Sequence, residues 1–94
     1  MTKSPHVVNL YAIKDAATGC FGGVIEQGTD QEVVRSLRHH LMADVNSLYA
    51  KVPADFSLWR LGSVDKQTGM FISDQEMICS LSALVEAPRA VSVA

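Results

Sequence analysis

The run Pro53-Ala-Asp-Phe-Ser-Leu-Trp-Arg-Leu-Gly-Ser-Val-Asp-Lys-Gln-Thr-Gly69, continued by Met70-Phe71-Ile72, constrains this chain more than any other segment. It holds the only tryptophan and two of the three phenylalanines. Two stretches rich in aromatic and β-branched residues flank Asp65-Lys-Gln-Thr-Gly69, and that spacer has the chemistry of a tight loop. The Asp65 carboxylate can accept from the amides that follow it, and Gly69 can take the positive φ that returns the chain into register. The expectation is a hairpin with strands Phe56 to Val64 and Met70 to Ser73. Alternation puts Phe56, Leu58 and Val64 on one face and Trp59 and Leu61 on the other. A two-stranded hairpin is marginal in water, so one face must pack on another element.

That element is readable upstream. Thr29-Asp-Gln-Glu32 is a capping box, with the Thr29 hydroxyl accepting from the Glu32 amide and the Glu32 side chain reaching back to the Thr29 amide. Val34, Leu37, Leu41, Val45 and Leu48 follow at three- and four-residue steps, an apolar stripe that predicts one long helix to about Tyr49 or Lys51. Val52-Pro53 ends it, because proline biases the residue before it away from helical angles. Before the helix, His6 to Lys14 reads as a strand with apolar residues on both faces, which suits an interior position or a second face that meets another subunit. Asp15-Ala-Ala-Thr-Gly19 is a turn, and Phe21 to Gly28 is a weak strand or an irregular connector. From Asp74 a short strand or irregular run precedes a helical turn at Ser82 to Glu86. The fold class is α+β: a small antiparallel sheet, made of the N-terminal strand and the C-terminal hairpin, packed on one long amphipathic helix. Residues 1–94 form a single domain in this reading, with 1–5 and 87–94 loose.

Composition narrows the function classes. Eight Lys and Arg stand against ten Asp and Glu, a net charge of -2, which argues against bulk coating of nucleic acid but leaves room for a local basic face. Cys20 and Cys79 have no CxxC spacing and read as reduced thiols. No apolar run reaches the length of a bilayer span, so no membrane is expected. No nucleophile elbow or Cys/His signature appears, so no catalytic residues and no enzyme are expected. His39 and His40 are adjacent and diverge by 100° on a helix, so neither a metal site nor any other cofactor is expected.

Opposite the apolar stripe lie Arg35, Arg38, His39, Met42 and Asn46, the most basic surface of the sequence. A solvated helix face explains it, and so does a phosphate-contacting patch. Adding the hairpin residues gives the candidate nucleic-acid-binding set Arg35, Arg38, His39, Trp59, Arg60 and Lys66. Bases would stack on Trp59, Tyr11 or Phe56, whose other explanation is core packing.

The Pro53 to Gly69 run resembles the core signature of the small nonstructural proteins of gokushoviruses, the tailless single-stranded DNA phages of the Microviridae. There, Pro, an acidic residue, an aromatic, Ser-Leu, an aromatic, a variable residue, Leu-Gly, an intervening pair, Asp and Thr-Gly recur after an amphipathic helix. The order of parts is also similar over residues 7–86, while Arg60 and Ser63 stand outside the pattern. The resemblance implies a viral, noncapsid DNA-binding protein that acts in DNA replication or in the switch to single-stranded genome synthesis. Its expected partners are single-stranded DNA or a replication protein, its expected state a homodimer and its expected location the host cytoplasm. The alternative is a non-enzymatic adaptor that binds a phage or host replication protein without touching DNA.

Overall fold

The fold is that of a computed structural model, which describes residues 6–85; the looseness expected of 1–5 and 87–94, and the end of the turn expected to reach Glu86, lie outside the described residues. Strand β1 (Val7–Asp15) is followed by two short strands, β2 (Cys20–Phe21) and β3 (Ile25–Gln27). Helix α1 (Asp30–Ala43), helix α2 (Leu48–Lys51) and a 3-10 turn at Pro53–Asp55 lead to β4 (Phe56–Asp65) and β5 (Phe71–Ser80), and residues 81–85 are helical. The sheet is antiparallel in the order β2-β1-β4-β5, with β3 also paired to β1. This is an α+β fold, and β1 occupies the interior position that its two apolar faces predict.

The two turns that close β1–β2 and β4–β5 are the same device. Each reads Asp-x-x-Thr-Gly, and in each the Asp carboxylate accepts from the amide two residues on, at 2.9 Å for both Ala17 and Gln67. The Thr hydroxyl accepts from the amide two residues further, at 3.2 Å for both Cys20 and Met70. The glycine amide bonds back to the Asp carbonyl, and Gly19 and Gly69 adopt φ of 72° and 80°, where a side chain is strained.

The hydrophobic core lies between one sheet face and the helices. Tyr11, Ile13, Phe56 and Leu58 meet Val33, Leu37 and Leu41 of α1, with Leu81 and Leu84 closing the far end. The helix differs from the expected single long one. Thr29 caps α1 as predicted, accepting from Glu32 N at 3.1 Å, but α1 stops at Ala43. Asp44 and Ser47 end it by offering the backbone local partners: Asp44 Oδ1 accepts from Asn46 N at 3.3 Å, and Ser47 Oγ caps α2 through Ala50 N at 3.2 Å. Val45 and Leu48, assigned to the stripe, are therefore 66% and 63% exposed. Val33 replaces Val34 as the first buried position, so the stripe is Val33, Leu37 and Leu41 at steps of four.

Strand β5 runs to Ser80 rather than ending at Ser73, because Glu76 to Ser80 stay in register with β4. Gly62 makes that pairing possible. A Cβ there would stand 2.2 Å from the Ile72 carbonyl oxygen and 2.8 Å from the Phe71 ring, so β5 closes down on a position that only glycine leaves empty.

Candidate functional site

Sheet register separates the candidate residues onto two surfaces. Arg60 pairs with Tyr11 and Glu76, and all three side chains point to the helix side, since both Tyr11 and Arg60 reach Asp30 in the first turn of α1. Trp59 pairs with Ala12 and Met77, one position along β4, and so points to the opposite face. The adjacent residues Trp59 and Arg60 therefore cannot act on one ligand surface.

Arg60 is enclosed by carboxylates. Its guanidinium donates to Asp30 Oδ2 at 2.7 Å and to Glu76, with Asp74 at 3.6 Å, and its side chain is only 18% exposed. Burial works to lower its pKa, and the hydrogen bonds and charges of Asp30 and Glu76 outweigh it, so the net shift is upward. Asp30 also accepts from the Tyr11 hydroxyl, which in turn accepts from Asn9 Nδ2 at 3.0 Å. Burial, reinforced by that bond to Asp30, pushes the Tyr11 phenol from 10.0 up to about 12. Asp30 thus ties the start of α1 to β1 and β4 by two polar bonds.

The other basic candidates scatter. Lys66 is paired with Glu26 at 2.8 Å across exposed surface. Arg35 and His39 lie together on α1, exposed, in a shallow cleft with Gln27, Glu32 and Ser36. Arg38 is half-buried, with its Nε enclosed and lacking a hydrogen-bond partner, and its charge partly offsets the upward push that burial gives the Cys79 thiol. Of the aromatic candidates, Tyr11 is fully buried and Phe56 is 6% exposed, so both belong to the core, whereas Trp59 is half-buried.

Trp59 does not stand alone. Phe21 meets it edge to face at a centroid separation of 5.9 Å, and Lys14 Nζ lies 5.3 Å from the Trp59 ring and 5.5 Å from the Phe21 ring. Ser57 Oγ accepts from the indole nitrogen at 2.9 Å and fixes the ring. Ala12, fully buried, forms the floor, and Met77 and Phe71 continue the surface at 47% and 48% exposure. The residues that share this face by register are Val8, Leu10, Ala12 and Lys14 of β1, Ser57, Trp59, Gly62 and Val64 of β4, and Phe71, Ser73 and Met77 of β5. On the neighbouring β3, Glu26 is in register with Leu10 and so shares this face, where it is paired with Lys66, whereas Asp30, Asp74 and Glu76 gather around Arg60 on the helix side.

Sequence reasoning missed Lys14 and Phe21. Lys14 was legible as the polar end of the Val8, Leu10, Ala12 alternation. Phe21 was not, because a two-residue strand that folds back on β1 leaves no periodic signal.

Among the described residues no helix is long and apolar enough to cross a membrane. No curated protein and no solved structure matches the chain. Residues 8–84 match a phage family, covering both Asp-x-x-Thr-Gly turns, the capped helix and the β4–β5 hairpin. The chain belongs to the family described as Phage ORF5 protein.

Proposed function

We propose that this phage protein is a nonstructural component of a gokushovirus-type single-stranded DNA phage of the Microviridae. In this reading it binds single-stranded DNA in the host cytoplasm during viral genome replication or the switch to single-stranded genome synthesis. The observation that carries the reading is the Trp59–Phe21–Lys14 cluster on the helix-free sheet face, where the Glu26 carboxylate is already paired with Lys66. An aromatic platform beside a cation takes any base by stacking while the cation meets the backbone, at roughly 1–3 kcal/mol per stacked base. The net charge of -2 is compatible with this, because the carboxylates around Arg60 face the helix side.

The test is quenching of Trp59 fluorescence by an oligothymidylate, titrated at increasing salt. Binding that weakens steeply with salt is expected, with Trp59→Ala losing roughly 5- to 150-fold in affinity. Lys14→Glu should cost more than Arg35→Glu if the sheet face is the interface. No binding at low salt overturns the reading, and a larger loss in Arg35→Glu moves the interface to α1.

One observation favours the adaptor reading. Met42, Val45, Leu48 and Val24 are each at least 60% exposed, and each adjoins in sequence a residue lining the cleft formed by Ile13, Gly23, Ile25, Leu37, Leu41, Asp44, Ser47 and Tyr49. A protein partner would cover such a surface. A stable replication protein retained in a pull-down from infected cells, by a chain that does not bind DNA, is the result this reading requires.

A further inference from the structure

The Phe71 ring lies along the sheet instead of standing off it. Phe71 pairs with Val64, and Gly62 with Ser73, so Gly62 is the diagonal neighbour of Phe71 on β4. The Phe71 Cζ atom comes within 2.8 Å of the point where a Gly62 Cβ would stand. A phenyl that reaches a diagonal neighbour covers it, and Gly62 is buried on the helix-free face. The ring itself stays 48% exposed. Gly62 thus leaves a seat on which a second aromatic ring lies down beside Trp59.

We propose that Phe71 is a second base-stacking ring of the Trp59 surface, and that one DNA strand lies along β4 with a base on each ring. The proposal rests on the single-strand reading above and adds to it the second ring and the course of the strand. Along β4 the face presents Lys14 opposite Ser57, then Trp59, then Phe71 over Gly62. Lys66, whose amide donates to the His6 carbonyl at 2.9 Å, stands at the far end. Cations at the two ends with rings between them match a chain of phosphates that carries planar groups. Glu26, which shares the face, is neutralised by Lys66 at 2.8 Å and does not oppose that chain.

The spacing decides how the bases sit. Trp59 pairs with Ala12 and Gly62 with Leu10, two residues apart on β1 and therefore about 7 Å along the strand. The indole leans farther from Gly62, because its nitrogen donates to Ser57 Oγ at 2.9 Å. Stacked bases of one strand are only about 3.4 Å apart. The two rings therefore hold two bases that are not stacked on each other.

The experiment compares two labelled strands by fluorescence anisotropy at low salt: oligothymidylate, and a strand of the same length with one thymine among abasic positions. Phe71→Leu keeps an apolar cover over Gly62 and removes the aromatic face. It should lose roughly 5- to 150-fold in affinity for oligothymidylate, with the salt slope unchanged, since a neutral ring displaces no counterion. On the single-thymine strand it should bind nearly as tightly as the wild type, because the one base still has Trp59. Equal losses on both strands mean that Phe71 acts only through the fold, and they overturn the proposal. If the leucine chain does not fold, Phe71→Trp in a Trp59→Phe background decides: position 71 then holds the sole indole, and oligothymidylate should quench it. Bound strand without quenching overturns the proposal. A Phe71→Leu chain that binds oligothymidylate as the wild type does, while Trp59→Ala loses it, sinks the second ring and leaves the single-strand reading standing. No binding by the wild-type chain sinks both.

Discussion

Arg60 is the cation whose removal separates a structural from a ligand-binding role. In Arg60→Leu, Asp30 loses a 2.7 Å charged partner while keeping the Tyr11 hydroxyl, and Glu76 and Asp74 are left beside it with no cation between them. The side chains are 18% exposed for Arg60 and 40% for Asp30, against 69% and 62% for Asp74 and Glu76. The outer two pairs are therefore screened and contribute a few tenths of a kcal/mol each, as exposed ion pairs do. The Asp30 pair lies between that limit and the roughly 3–5 kcal/mol lost on breaking a fully buried pair, so about 1.5 kcal/mol is assigned to it. Arg60→Leu should destabilise by about 2 kcal/mol in urea unfolding followed by circular dichroism, with an unchanged denaturant slope. A cycle with Asp30→Asn should return a coupling of about 1–1.5 kcal/mol that shrinks in high salt. Because Arg60 faces away from Trp59, the salt slope of oligothymidylate binding should stay at the wild-type value. A variant within 0.5 kcal/mol of wild type, or one whose DNA salt slope falls by about one while its stability holds, refutes the structural assignment.

Gly62→Ala sets a Cβ 2.2 Å from the Ile72 carbonyl, so β4 and β5 must part locally and forfeit two or more ladder bonds. At about 1 kcal/mol per bond plus backbone strain, a loss on the order of 2–4 kcal/mol is expected, while Gly23→Ala, which meets nothing within 4 Å, should fall within about 0.5 kcal/mol of wild type; equal midpoints for the two would refute the close-approach argument. The native state holds the Tyr11 proton up to about pH 12, whereas the unfolded chain releases it near 10.0. Stability should therefore be intact below pH 10 and fall by on the order of 3 kcal/mol as pH rises to 12, and a Tyr11→Phe chain that shows the same fall would refute the assignment.

What the sequence makes legible follows from the range of the interactions involved. Both Asp-x-x-Thr-Gly turns and the Thr29 cap are written in residues within five positions of one another, and each forms as read. The strands beside the second turn differ: β5 continues past Ser73 to Ser80, and the bulge at Leu61 carries Val64 onto the Trp59 face instead of the face of Phe56 and Leu58. The end of α1 was also written locally, in Asp44 and Ser47, but a regular apolar spacing continued through Val45 and Leu48 and masked it. Two side-chain-to-backbone bonds at the break outweigh the burial that a straight continuation offered, which places Val45 and Leu48 at the surface. The candidate site depends on which strand face the helix covers and on what the neighbouring strands bring to the other, and local spacing carries neither. Trp59 and Arg60 stand together in the candidate set, yet the alternation of β4 that buries Leu58 must send them to opposite surfaces. Once Asp30 at the helix start draws Arg60 to the core side, Trp59 is committed to the other, where β2 delivers Phe21 and β1 delivers Lys14. The apolar residues on the second face of β1, which invited a subunit contact, form the margin of that platform. The same register sets Met77 beside Trp59, so the geometry that divides the arginine from the tryptophan also extends the tryptophan's surface onto β5.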